Sequence, residues 1–207
     1  MQNSIQDKIY SFEQNNIWFT ADTHFRDEGA IRLLDRPFRT VAEMNEELIL
    51  RWNDTVPEDG VVFHLGDFGG GLKSDWNKII SRLHGGIYLI HSRQDTSGGR
   101  LWNPLPFELV TPQLTITVDG QYILLNHDPF LWYYGCNFGV WQLYGHGYYG
   151  PRYPGMLDRS RRKMLSPLQY DVGVDCNDYR PVSFLEVKAK IEKQVAKREK
   201  RKSQSHL

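Results

Sequence analysis

Four short segments of this chain carry side chains that hold cations and move protons: Asp22-Thr23-His24, Gly66-Asp67, Asn126-His127-Asp128-Pro129 and Gly145-His146. A carboxylate and an imidazole two residues apart on a loop can grip one cation, and a second carboxylate can bridge that cation to a neighbour. Zn, Mn and Fe accept such a mixed nitrogen and oxygen set. Singly, each segment says little, and His64 and His84 read as structural histidines beside strands. The ordered set of acids and imidazoles carries the chemistry.

Each segment follows an apolar run. Ile17 to Ala21 leads into Asp22, Val61 to Leu65 into Gly66-Asp67, Tyr122 to Leu125 toward His127, and Trp141 to Tyr144 into Gly145-His146. Runs of this length predict buried strands, and strand exits are where open sheets flanked by helices build sites. Thr40 and Glu43 form a capping-box pattern, after which Met44, Leu48 and Trp52 recur at helical spacing. Trp76, Ile79, Ile80 and Leu83 predict a second helix, ended by Gly85-Gly86 ahead of a strand over Ile87 to Ile90. Leu114 to Val118 and Tyr122 to Leu125 flank Asp119-Gly120, a hairpin signal. Tyr170 to Val174 predicts a last strand, and Ser183 with Glu186 opens a C-terminal helix near Phe184 whose basic end is expected to be solvated and frayed. Tyr149 to Arg162, rich in Gly, Pro and Arg, is expected to be a surface loop. The alternation predicts an α/β fold.

A length of 207 residues fits one domain, and 40% hydrophobic with 24% charged residues is ordinary for a globular chain. Lys plus Arg and Asp plus Glu stand at 25 each, so no global field favours nucleic acid or an acidic membrane. Cys136 and Cys176 lack metal-type spacing, the first residues lack the apolar core of a signal peptide, and no run reaches the ~20 apolar residues of a membrane span. A cytoplasmic protein without a membrane partner is expected.

The order of these segments resembles that of the calcineurin-like metallophosphoesterases: Asp-x-His, Gly-Asp, Gly-Asn-His-Asp, His and Gly-His-x-His. It is most similar to a small bacterial and phage branch, through Ala21-Asp22-Thr23-His24-Phe25, Arg36-Pro37-Phe38, Phe63-His64-Leu65-Gly66-Asp67-Phe68, Leu143-Tyr144-Gly145-His146 and Asp171-Val172-Gly173-Val174-Asp175. The resemblance implies a four-layer α/β/β/α sandwich of two mixed sheets over residues 17–191, preceded by an extension (1–16) and followed by a basic helix end and tail (192–207). It implies one or two divalent ions (Mn, Zn, Fe or Ni), with Asp22 and His24 on the first, Asp67 bridging, and His127 and His146 on the second. The implied substrate is a phosphodiester or a nucleotide-like phosphomonoester.

Two motifs depart from the pattern. Where the family has Gly-Asn-His-Asp, this chain reads Ser92-Arg93-Gln94-Asp95, so an arginine replaces a metal ligand and a glutamine replaces the acid that protonates the leaving group. Gly145-His146-Gly147-Tyr148 puts a tyrosine where a second histidine would ligate the first metal, and a phenol with pKa near ~10 is a poor ligand for a divalent ion at neutral pH. Three roles are open to Arg93: binding a substrate phosphate from the space of the second metal, pairing with Asp67 or Asp95 to close the site, or pointing into solvent. His91 is a candidate substitute acid. Two functions follow, a phosphoesterase with a reduced two-metal site, or an inactive relative that binds a nucleotide or protein partner in the same pocket.

Overall fold

The computed structural model describes residues 10–97, 105–146 and 163–204. In chain order the strands are β1 (Tyr10–Phe12), β2 (Ile17–Thr20), β3 (Val61–His64), β4 (Gly86–Ile90), β5 (Leu109–Thr111), β6 (Gln113–Val118), β7 (Gln121–Asn126), β8 (Trp141–Tyr144), β9 (Gln169–Asp171) and β10 (Val182–Ser183). The helices are α1 (Glu28–Leu33), α2 (Val41–Thr55), α3 (Lys73–Ile80), the single turn α4 (Arg93–Thr96) and α5 (Phe184–Gln204). The strands form two mixed five-stranded sheets, β10-β2-β3-β4-β5 and β1-β6-β7-β8-β9. In the first, only the β10 pairing is antiparallel; in the second, only β6 with β7.

Alternation along the strands explains the packing, because successive side chains of a strand point to opposite faces. Phe19, Phe63, Leu65 and Ile90 face the second sheet and meet Ile116, Val118, Ile123, Leu125 and Leu143 in a shared core. Trp18, Val62 and Leu89 face the other way, against Met44, Leu48 and Trp52 of α2 and Trp76, Ile79 and Ile80 of α3. Both faces of the first sheet are therefore covered, which is why its strands read as continuous apolar runs. Trp52 is 1% exposed and fills the space over β3, so truncation to alanine would cost about 3–5 kcal/mol.

Capping sets the helix starts. Thr40 Oγ1 accepts from the Glu43 N–H at 3.1 Å, but the Glu43 carboxylate reaches back to the N–H of Arg39, one residue earlier than a reciprocal box requires. Ser183 and Glu186 form the full reciprocal box, at 3.2 and 2.9 Å. Through Phe184, Val187 and Ile191, α5 joins the core between the sheets and contacts β2, β9 and β10.

Several expectations change. Tyr10–Phe12 is a strand parallel to β6, with Phe12 edge-on to Phe63 at 5.3 Å, so the folded unit begins ahead of residue 17. Three residues are too few to show a period. The strand expected over Tyr170 to Val174 ends at Asp171, whose Oδ1 accepts the Gly173 N–H at 2.9 Å and turns the chain. The next N–H, that of Val174, binds Ala21 O just beyond β2. The basic end of α5 remains helical to Gln204. The segment after β7 packs against β8, with Phe130 N–H bound to Gln142 Oε1 at 3.0 Å. The loop expected over Tyr149 to Arg162 lies outside the described residues.

Candidate metal centre

The two sheets end side by side, and four of the five candidate ligands take a backbone conformation that L-residues rarely adopt. Asp22, His24, Asp67 and His146 have φ of 57°, 49°, 54° and 57°. Such left-handed residues cost on the order of 1 kcal/mol or more each and persist only where surroundings hold them. The holding bonds are visible: Asp22 N–H to Gly66 O at 3.0 Å, His24 N–H to Asp67 O at 3.0 Å and Phe25 N–H to Phe68 O at 2.9 Å zip the first two loops together. Gly66, φ 87°, allows the close approach of the third, since a Cβ there would stand 2.7 Å from His127 Nδ1.

Three buried side chains organise these loops without lining them with ligands. Arg36 Nη1 and Nη2 donate to the carbonyls of Thr23 and Asp22 at 2.9 and 2.6 Å, while Asp175 takes Nε and Nη2 at 2.8 and 2.7 Å. Asp95 accepts from the N–H groups of Asp67, Phe68 and Ser92 at 2.9, 2.9 and 2.8 Å. Thr23 Oγ1 donates to Phe68 O at 2.8 Å, so its contact with His64 Nε2 at 2.9 Å is one in which the imidazole donates. That fixes the His64 tautomer, and burial pushes its pKa down to about 3. His64 is thus structural, as is His84, whose Nδ1 lies 3.0 Å from Val56 O.

The five expected ligands converge. Asp22, His24 and Asp67 offer one set of mutually close donor atoms, and Asp67, His127 and His146 a second, with all atoms of each set within 4.8 Å of one another. Asp67 belongs to both: its Oδ2 stands 3.6 Å from His24 Nε2 and its Oδ1 3.7 Å from His127 Nε2. His127 Nδ1 lies 2.7 Å from Leu65 O, which fixes a proton there and turns Nε2 inward. His127 Nε2 lies 3.2 Å from His146 Nδ1. His24 Nδ1 is 3.4 Å from Asp27 Oδ2, and this neighbour holds the Asp27 carboxyl below its usual range.

The charge balance favours a cation. Asp22 is pushed well above the usual carboxylate range, first by burial and then by Asp67, Asp171 and Asp175. Its Oδ2 accepts the His146 N–H at 2.9 Å, while its Oδ1 is buried with no hydrogen-bond partner among the described residues. Burial, then His127, lowers the His146 pKa and keeps the ring neutral, the form that ligates. Three protein donors on each side, with room for a further ligand, is the pattern of sites that keep a coordination position open.

A cleft of about 630 Å³ opens onto this cluster, lined on one side by His24, Asp67, His127 and His146 and on the other by Arg93 and Gln94. Of the three roles open to Arg93, closure of the site is excluded. It makes no ion pair among the described residues, and the Asp95 carboxylate is taken by three N–H groups. Arg93 is exposed and faces the cleft. His91 is not among the cleft-lining residues; its Nδ1 lies 3.3 Å from Ser92 O. Neighbours in an extended segment point opposite ways, and Ser92 takes the inward side by donating Oγ–H to Asp67 Oδ1. Tyr148 lies outside the described residues. Asp27, Ser92 and the Arg36–Asp175 pair were not singled out from sequence for these roles, and an acid three residues after His24 was the one local signal.

Two stacked mixed sheets with helices, and a buried acid and imidazole cluster at their strand exits, define the chain's class as α/β. It matches no family model. It is 29% identical over 181 residues to MJ1445, an uncharacterized protein of Methanocaldococcus jannaschii, spanning 86% of this chain and 92% of that one. It shares the fold of AQ665, a protein of unknown function from Aquifex aeolicus, with a TM-score of 0.65 and 21% identity over 84% of this chain and 97% of that structure. No helix among the described residues is long and apolar enough to cross a membrane.

Proposed function

We propose that this chain is a metal-dependent phosphoesterase that hydrolyses a phosphodiester or nucleotide-like phosphomonoester in the cleft beside Asp67. The observation that carries the reading is the position of Asp67 in both donor sets, with the orphaned Asp22 Oδ1 buried among three other acids. The residues fit a pair of divalent cations: Asp22, His24 and Asp67 for one, Asp67, His127 and His146 for the other. Bound there, two cations supply activation of water and neutralisation of charge on the phosphoryl oxygens. Mn, Zn, Fe and Ni all suit this donor set.

The chain's own residues supply the rest. Asp27 and the Leu65 carbonyl orient the imidazoles of His24 and His127. Ser92 steadies one Asp67 oxygen. Arg93 offers a fixed cation with two parallel donors to a phosphate oxygen pair. Gln94, at the acid's position, has no titratable proton to give, so the reading narrows to esters with good leaving groups. A helix-covered second sheet, as in the four-layer sandwich of the calcineurin-like family, and a cytoplasmic site of action belong to the same proposal.

The test is metal content together with turnover of bis(p-nitrophenyl) phosphate in added manganese, with Asp67→Asn as control. Manganese-dependent turnover that disappears in the control is expected. No bound metal and no turnover, with tight binding of an unmodified nucleotide, would replace this reading with that of an inactive binding protein.

A further inference from the structure

A second cleft lies apart from the metal centre, between α5 and the segment 163–171, with a volume of about 950 Å³. Lys190, Lys197, Arg198 and Arg201 of α5 line one wall and Lys163 the other. All five are exposed, and none makes an ion pair among the described residues. Positions 190, 197 and 201 recur at helical spacing, so they share one face. The acids of this stretch, Glu192 and Glu199, stand one or two positions from these cations and turn to other faces.

This segregation runs against the composition. The whole chain balances 25 cations with 25 acids, yet five cations gather here against a single lining acid, Asp171. Like charges four apart, such as Lys197 and Arg201, destabilise a helix by a few tenths of a kcal/mol. A purely solvated helix would gain from an acid between them. The cleft is also built rather than incidental, because Gln194 Nε2 donates to the carbonyls of Pro167 and Gln169 at 3.1 and 3.0 Å and fixes α5 against the opposite wall.

The geometry points to this cleft as a binding groove for a single-stranded nucleic acid. A duplex is read by an element that projects into its grooves, whereas a single strand is held by a concave cationic channel that follows its backbone. The aromatic side chains on its lining are Tyr144 and Tyr170. Tyr170 lines the groove half-buried, with its hydroxyl fixed by donation to Asn177 Oδ1 at 2.7 Å. The inference stands without the proposed hydrolysis, since it concerns binding by a different wall of the molecule.

The test is fluorescence anisotropy of a fluorescein-labelled oligo(dT) strand titrated with the full chain in chelator, so that no cleavage is read. Neutralising five phosphates at a slope of about 0.7 each gives an affinity that falls roughly a hundredfold between about 50 and 200 mM salt. Lys190→Glu/Lys197→Glu/Arg201→Glu is expected to remove binding. The set Lys78→Glu/Lys188→Glu/Lys200→Glu, with the same change in net charge, is expected to leave it within about twofold. A glutamine version of the groove set guards against helix disruption and is expected to weaken binding at least tenfold. Equal loss in both charge-reversed sets, salt-independent binding, tighter binding of duplex, or retention on phosphatidylserine vesicles with no affinity for the strand would each overturn the inference.

Discussion

Arg36 and Asp175 stand 139 positions apart, and their side chains meet in a two-point ion pair at 2.8 and 2.7 Å. From that anchor Arg36 holds the carbonyls of Asp22 and Thr23, with its side chain fully buried. The pair therefore fixes the loop that carries two candidate ligands, although neither residue faces the cleft. Removing the guanidinium leaves a partly buried carboxylate and two carbonyls unmatched. Arg36→Met is expected to cost about 3 kcal/mol or more of unfolding free energy. Arg36→Lys is expected to recover little, because an ammonium cannot span four acceptors in a fork. Chemical denaturation of the three proteins checks this, and a methionine variant of unchanged midpoint would refute the anchoring role.

Asp22 sits among Asp67, Asp171 and Asp175 and is driven toward its protonated form by burial and by those neighbours. Asp22→Asn keeps an oxygen for the His146 N–H and relieves the repulsion. The metal-stripped variant is expected to melt several degrees above metal-stripped wild type, while the rise in Tm on adding manganese is largely lost. Thermal scans with and without metal read both effects. A variant that still gains the full metal-induced shift would remove Asp22 from the ligand set.

His64 titrates near 6.5 when unfolded but is pushed down to about 3 in the fold by burial. The unfolded chain therefore takes up the proton first as pH falls, so stability declines below pH ~6.5 and continues to decline toward pH ~3. The expected loss is about 2 kcal/mol between pH ~7.5 and ~5. His64→Gln keeps a donor for Thr23 Oγ1 and should flatten that slope in metal-free protein. Parallel slopes for the two proteins would show that His64 does not set the acid sensitivity.

Gln94 lines the cleft, and under the proposed hydrolysis it stands where a leaving group would be protonated. Gln94→His is expected to raise kcat for an ester with a poor leaving group by ~10²-fold or more and to change p-nitrophenyl ester turnover little. Arg93→Ala is expected to raise KM for the same esters at least tenfold, with a smaller change in kcat. An unchanged ratio between poor and good leaving groups in Gln94→His would speak against an acid position there.

Much of this was readable along the chain. Apolar runs placed β2, β3, β4, β7 and β8, because each buries both faces or alternates into the core between the sheets. The acids and imidazoles after those runs gave Asp22, His24, Asp67, His127 and His146 as one group, and these five side chains do meet. Residue type alone also decided what Arg93 and Gln94 cannot do, since a guanidinium cannot ligate a cation and an amide has no titratable proton to give.

Tertiary structure decided the remainder, because long-range contacts leave no periodic trace. The three-residue strands β1 and β5 are held by pairing with β6 and β4 and have no pattern of their own. The end of β9 follows from the hydrogen bond of Asp171 to Gly173 and the bridge to Ala21. That Arg93 faces the cleft with no ion pair among the described residues, while His91 turns away, depends on Asp95 and Ser92 being occupied by the Asp67 loop, contacts across 25 to 28 residues. Local spacing fixes which way a side chain leaves its strand; only the packed sheets fix what it meets there.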